Sequence, residues 1–194
     1  MNRYGAVWAG ILVVGLAVMF LHPAGAEQAS PLAAVEADVK KAFPNVAVMP
    51  TADLEAIEKS GQPVVLLDAR SDAEFAVSRI EGARRVDPSM SATQFKDAFG
   101  TDLKGRKVVV YCAVGGRSST LASRIDRVAK EAGADGVYSL QGGIFRWHNE
   151  KRPLVGPAGA TNEVHPFSAN AARLIERQEG VAYTPGASKS AKAD

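Results

Sequence analysis

An α/β fold, with a central parallel sheet flanked by helices on both faces, is predicted by three features of this sequence. Apolar runs of strand length recur in PVVLLDAR (63–70), KVVVYC (107–112) and GVYSL (136–140), and segments with helical spacing separate them. That alternation is the pattern of parallel strands joined by crossover helices. The first two runs are apolar at consecutive rather than alternate positions, as in strands buried on both faces.

The elements follow in order. Ser30-Pro31 reads as an N-cap with proline at the first helical position, and Leu32, Val35, Val39 and Phe43 recur at helical spacing until Pro44 stops the helix. Residues 46–49 read as a short strand. Thr51 is expected to cap a second helix that runs to about Lys59 and ends at Gly61. After the 63–70 strand, residues 72–77 read as a short helix and the segment around Val86 as a short extended piece. Ser91 and Gln94 have capping-box spacing, with Phe95 and Phe99 on one helical face behind them. After the strand ending near Cys112, a helix is expected over 118–132, with Leu121, Ile125 and Val128 on its buried side. Gly142-Gly143 turns into a last helix carrying Phe145 and Trp147; Trp147 is expected to pack on the sheet and His148 to lie at the surface. Beyond 155 the composition shifts to proline and glycine, one helix is expected over about 168–178, and 184–194 reads as a disordered tail.

The organisation that results is a leader at 1–26, a helical extension at 27–45, the α/β domain at 46–155, a C-terminal extension at 156–183 and the tail. The leader has Asn2 and Arg3, an apolar run over 6–21, and Ala24-Gly25-Ala26 before Glu27. This is the layout of a secretory signal peptide cleaved after Ala26, so a periplasmic or secreted protein is expected. The alternative is an uncleaved N-terminal anchor, the one route by which this chain would contact a membrane.

Formal net charge is only +2 and no long run of one sign occurs, so a nucleic-acid partner is not expected. Cys112 is the single cysteine. An internal disulfide, CxxC redox chemistry and a cysteine-rich zinc site are therefore excluded. Past the leader the histidines are His148 and His165, too sparse to suggest a histidine metal site.

Cys112 falls where a strand ends and a helix begins, and open α/β sheets place their sites there. Asp68 and the Gly142-Gly143 turn end two other strands, so the three are expected on one rim. A buried core thiol would not need the Gly115-Gly116-Arg117-Ser118 turn that follows. Glycines in such a turn let backbone N–H groups converge, the helix start adds its positive end, and Arg117 adds a full charge. Thiolate, persulfide and bound oxyanion all fit that environment. Arg117 follows Cys112 after four residues, whereas tyrosine-type phosphatases use Cys-x5-Arg. The shorter loop encloses a smaller pocket, better suited to sulfur than to a phosphoryl group.

VVLLDARSDAEFAVSRIEGARRVD resembles the Asp-x-Arg, acidic-aromatic and Ile-x-Gly-Ala signature of the rhodanese sulfurtransferases. VVVYCAVGGRSS resembles their six-residue active-site loop, and VYSLQGGIFRWHNEKRPLV their closing Gly-Gly-x-x-x-Trp segment. Arg79 departs from the family, which commonly has histidine there. The resemblance covers about residues 46–155 and implies a rhodanese-like fold and a two-step sulfur transfer. Cys112 would be the nucleophile. Backbone N–H groups of Ala113, Val114, Gly115, Gly116, Arg117 and Ser118 would hold the persulfide, and Arg117 would hold the anionic end of a donor such as thiosulfate. Cyanide or a thiol, on a small molecule or a protein partner, would take the sulfur, with no metal or organic cofactor. The alternative on the same loop is a non-catalytic persulfide carrier or partner-binding module. Asp68 and Arg70 are expected to form a structural ion pair at the rim rather than to touch substrate. Arg84 and Arg85 are expected at the solvated surface.

Overall fold

The computed structural model describes residues 30–188, so the leader lies outside the described residues. The elements in chain order are α1 (Pro31–Ala42), β1 (Ala47–Met49), α2 (Thr51–Ser60), β2 (Val64–Asp68), α3 (Asp72–Val77), β3 (Arg84–Arg85), α4 (Ala92–Phe99), β4 (Lys107–Tyr111), α5 (Gly116–Glu131), β5 (Gly136–Leu140), α6 (Gly143–Asn149), β6 (Leu154–Gly156), β7 (Gly159–Thr161) and α7 (Ala169–Ala172). Strands β1 to β5 form one parallel sheet in the order β1-β5-β4-β2-β3, and β6 and β7 form a separate antiparallel ribbon.

The consecutive apolar residues of β2 and β4 serve two cores. Val65, Leu67, Val108 and Val110 pack with Phe95 and Phe99 of α4 and Leu121 and Ile125 of α5. Leu66, Val109 and Tyr111 face the other way, onto Leu32 of α1, Leu54 of α2 and Ile144, Phe145 and Trp147 of α6. Helices therefore cover both faces, and Cys112 follows the central strand of the sheet.

Local signals acted as their chemistry requires. The Ser30 hydroxyl accepts from the Ala33 N–H at 3.2 Å and opens α1. Ser71 with Glu74 and Ser91 with Gln94 both form complete capping boxes, and the Phe95 and Phe99 rings stack with centroids 5.2 Å apart. Thr51 differs from expectation: Pro50 holds the cap position of α2, and the Thr51 hydroxyl donates instead to Glu150. Helix α5 begins at Gly116, two residues before the expected start, because Gly115 takes the cap.

The C-terminal extension departs most. The helix expected over 168–178 is one turn, Ala169–Ala172, capped by Ser168. Asn149 ends it by taking the Glu176 N–H at 2.9 Å and donating to the Leu174 carbonyl at 3.0 Å, which draws both groups out of a helical ladder. Ile175 is thereby placed in the core. Residues 184–188, expected in the tail, are tied down: the N–H groups of Gly186 and Ser188 donate to the Glu163 carboxylate at 2.7 and 2.9 Å. Residues 189–194 lie outside the described residues.

Candidate functional site

The thiol of Cys112 sits one residue past β4, and its surroundings are polar although the residue is only 1% exposed. Its Sγ accepts from the Gly115 N–H at 3.2 Å and from the Ser118 hydroxyl at 3.6 Å. The Ser118 hydroxyl also meets the Gly115 carbonyl at 3.0 Å and the Ser139 hydroxyl at 2.9 Å, and Ser119 donates to Ser139 at 3.2 Å. Gly115 adopts φ +111, the left-handed region that a side chain would strain, and this angle turns its N–H onto the sulfur. The first bond of α5 runs from the Ser119 N–H to the Gly115 carbonyl. The N–H groups of Gly116, Arg117 and Ser118 thus open the helix without intrahelical acceptors, and the positive end of α5 lies beside the sulfur.

The loop is fixed from below by the second glycine turn. The Ile144 N–H donates to the Cys112 carbonyl at 2.9 Å, and the Phe145 N–H to the Ala113 carbonyl at 3.1 Å. Such an approach needs glycine at 143: φ is +55, and a Cβ there would stand 2.3 Å from the Cys112 carbonyl oxygen. Ala113 is buried, and Val114 is half-buried. Val114 and Gly115 border a cavity of about 420 Å³ whose far wall is α1, with Glu36, Val39 and Lys40.

Arg117 is not free to serve a ligand alone. Its guanidinium donates to both oxygens of Glu74, at 2.9 and 2.8 Å. Glu74 additionally accepts from the Ser71 N–H and hydroxyl at 3.0 and 2.9 Å. Burial alone would raise the Glu74 carboxyl, but these donors outweigh it and hold the pKa at about 2. The Arg117 guanidinium carbon lies 4.8 Å from the centroid of the Phe167 ring, in cation–π contact.

Asp68 and Arg70 form a fully buried pair. Arg70 Nε donates to Asp68 Oδ1 at 2.9 Å and Nη2 to Oδ2 at 2.7 Å, while Nη2 also donates to the Ser78 carbonyl at 2.6 Å. Arg70 lies 5.7 Å from the Tyr111 ring centroid, and the Tyr111 hydroxyl accepts from the Ile80 N–H at 3.2 Å. The pair therefore braces the end of β2, the C-terminal end of α3 and the residue before Cys112. Asp68, Cys112 and the Gly142-Gly143 turn do share one rim.

Other expectations resolve simply. Trp147 is buried and donates to the Pro153 carbonyl at 2.8 Å. His148, expected at the surface, is buried; its Nε2 donates to the Asn162 carbonyl at 2.9 Å, and burial lowers its pKa. The C-terminal extension covers it, which no local pattern announces. Arg84 pairs with Asp102 at 3.0 Å, and Arg85 with Asp72. Arg79 stacks on Phe75 at 5.0 Å and pairs its backbone with Val155. Ser139 and Phe167 escaped sequence reasoning. Ser139 is one polar residue in an apolar strand and Phe167 lies far along the chain, so neither carries a local signal.

The family model described as Rhodanese-like domain matches residues 51–150. A tRNA uridine(34) hydroxylase of Burkholderia ambifaria is 33% identical over 148 residues, covering 68% of this chain and 51% of the relative. A tRNA uridine(34) hydroxylase of Cupriavidus taiwanensis is 35% identical over 96 residues, covering 48% of this chain and 32% of the relative. This chain thus spans about half or less of the curated relatives it matches. Among solved structures, a thiosulfate sulfurtransferase from Pseudomonas aeruginosa aligns with a TM-score of 0.52 at 20% identity, over 75% of this chain and 26% of that one, a likeness of fold. Sequence match, sheet order and the loop at the end of β4 agree, and the chain belongs to the rhodanese-like domain family.

Proposed function

We propose that the chain is an exported sulfurtransferase that carries sulfur on Cys112. The Cys112 thiolate attacks the outer sulfur of a donor such as thiosulfate. The donor S–S bond breaks, its electron pair leaves with sulfite, and a new S–S bond leaves Cys112 as a persulfide anion. Cyanide or a thiolate acceptor then bonds the outer sulfur, and Cys112 departs as thiolate, a two-step covalent cycle. The observation that carries this reading is the set of donors on one sulfur: the Gly115 N–H, the Ser118 hydroxyl and the start of α5. Hydrogen bonds to a charged acceptor are the strong kind, and a persulfide places its charge within reach of these groups. Arg117, which gives Glu74 one N–H from each terminal nitrogen, keeps its remaining N–H groups as hydrogen-bond donors for an anionic donor.

The test is thiosulfate-to-cyanide transfer by the full chain and by Cys112→Ser. Turnover abolished by the substitution supports the enzyme. Stoichiometric loading of one sulfur without turnover supports the carrier alternative. Neither loading nor turnover removes the reading. Export rests on the apolar run over 6–21 and the Ala24-Gly25-Ala26 site. Mass analysis of the chain from separated cell fractions tests it, and an intact leader in the cytosolic fraction would refute it.

A second reading comes from the curated relatives, which are named for hydroxylation of a tRNA uridine. It requires an RNA surface. Here Arg84, Arg85, Arg146 and Arg152 are each committed to a carboxylate, which leaves little free charge for phosphates at these positions. Nucleoside analysis of tRNA incubated with the chain separates the two readings.

A further inference from the structure

Cys112 is 1% exposed, yet every reaction assigned to its sulfur needs contact with an outside molecule. The groups layered at its mouth come from two sources. Arg117 belongs to the loop that carries the sulfur and is held there by both oxygens of Glu74. Phe167, whose ring stacks on the Arg117 guanidinium, belongs to the C-terminal extension, outside the residues matched to the family.

Phe167 is unusual on two counts. Its ring is 56% exposed, and its backbone holds φ +64, a costly angle for a bulky residue. The surrounding chain maintains that angle. Before it, the Val164 N–H donates to the Gly180 carbonyl at 2.8 Å and the Ala182 N–H donates to the Val164 carbonyl at 3.1 Å. Pro166 stiffens the approach, the Phe167 N–H donates to His165 Nδ1 at 3.0 Å, and the His165 ring meets Tyr183 edge-on at 5.4 Å. After it, Ser168 caps α7. The extension is anchored on both sides of one exposed aromatic ring, and that ring rests on the arginine of the reactive loop.

We propose that Phe167 is a specificity-determining residue that limits the size of the molecule reaching Cys112. With the ring on Arg117, small anions of thiosulfate or cyanide size enter after a small swing of the ring, whereas bulky donors require the whole strap to lift. This rests on the reading of Cys112 as the reactive sulfur, and the measurements below separate the two.

The first measurement is alkylation of Cys112 in the full chain by iodoacetamide and by the larger N-phenylmaleimide, followed by intact mass, in wild type, Phe167→Ala, Phe167→Gly and Phe167→Trp. Glycine removes the ring and relieves the backbone angle, so it covers the case in which alanine folds poorly; thermal melting checks each variant. If the open form is about a tenth of the population or less, the maleimide rate rises about tenfold or more in the alanine and glycine variants. The iodoacetamide rate rises less, and Phe167→Trp shifts the ratio of the two rates the opposite way. The second measurement is turnover with thiosulfate against benzenethiosulfonate, which leaves benzenesulfinate in place of sulfite. The kcat/KM ratio moves toward the bulky donor when the ring is removed. Equal reagent ratios in wild type and in both ring-less variants would overturn the proposal. A changed alkylation ratio with neither turnover of nor sulfur loading from either donor would uphold the size limit and overturn the sulfur-transfer reading.

Discussion

Replacing Glu74 by glutamine isolates the charge that holds the reactive loop. Glutamine suits the capping-box position of α3, so the helix start is preserved and the bidentate ion pair with Arg117 is weakened. The carboxyl is held at about 2 against an ordinary 4.5, and a full conversion of that difference would give about 3 kcal/mol. Arg117 is 28% exposed, so solvent screening reduces the expected loss to about 1–2 kcal/mol. The sign follows from the depressed folded-state value. The contribution is complete above pH 4.5, where the carboxylate is ionised even in the unfolded chain, and it is lost as pH falls toward 2. Urea unfolding of wild type and Glu74→Gln at a series of pH values is the assay. The variant is expected to be less stable at neutral pH, and the gap to close as the solution is acidified below pH 4.5. A gap that stays constant down to pH 2 would show that the loss is one of packing and that the ion pair contributes nothing.

Two further substitutions probe the supports of the site. Asp68→Asn leaves the Arg70 guanidinium buried without its compensating charge and is expected to cost about 3–5 kcal/mol in urea unfolding; a cost below about 1 kcal/mol would mean that neighbouring carbonyls suffice to hold the cation. Gly143→Ala forces a Cβ against the Cys112 carbonyl at a left-handed angle, with an expected loss above about 2 kcal/mol and a displaced loop, read as slower alkylation or turnover; a stable variant of normal activity would contradict the close approach.

Much of the site was legible because it is local. The strand end, the glycine turn and the helix start are consecutive in the chain, so Cys112 meets the Gly115 N–H and the Ser118 hydroxyl within one short loop. The capping serines Ser30 and Ser91 were equally legible, since each acts within three residues of itself. Two-faced burial of β2 and β4 follows from their apolar runs, and with it the layered fold. Where a competing long-range partner existed, local reading failed. Thr51 went to Glu150, 99 residues away, and Asn149 opened the helix expected near residue 175.

By itself, then, the sequence determined the parallel α/β architecture, the place of the thiol at the end of a strand and the glycine turn and helix start that follow it. These depend on periodicity, glycine and capping, which act between near neighbours. Only the tertiary structure decided that Arg117 is steered by the buried carboxylate of Glu74, that Ser139 joins the hydroxyl cluster beside the sulfur, and that the Phe167 ring stacks on Arg117. Those contacts join residues 43, 21 and 50 positions apart, respectively, and packing of separate elements, which leaves no periodic trace in the chain, is what brings them together.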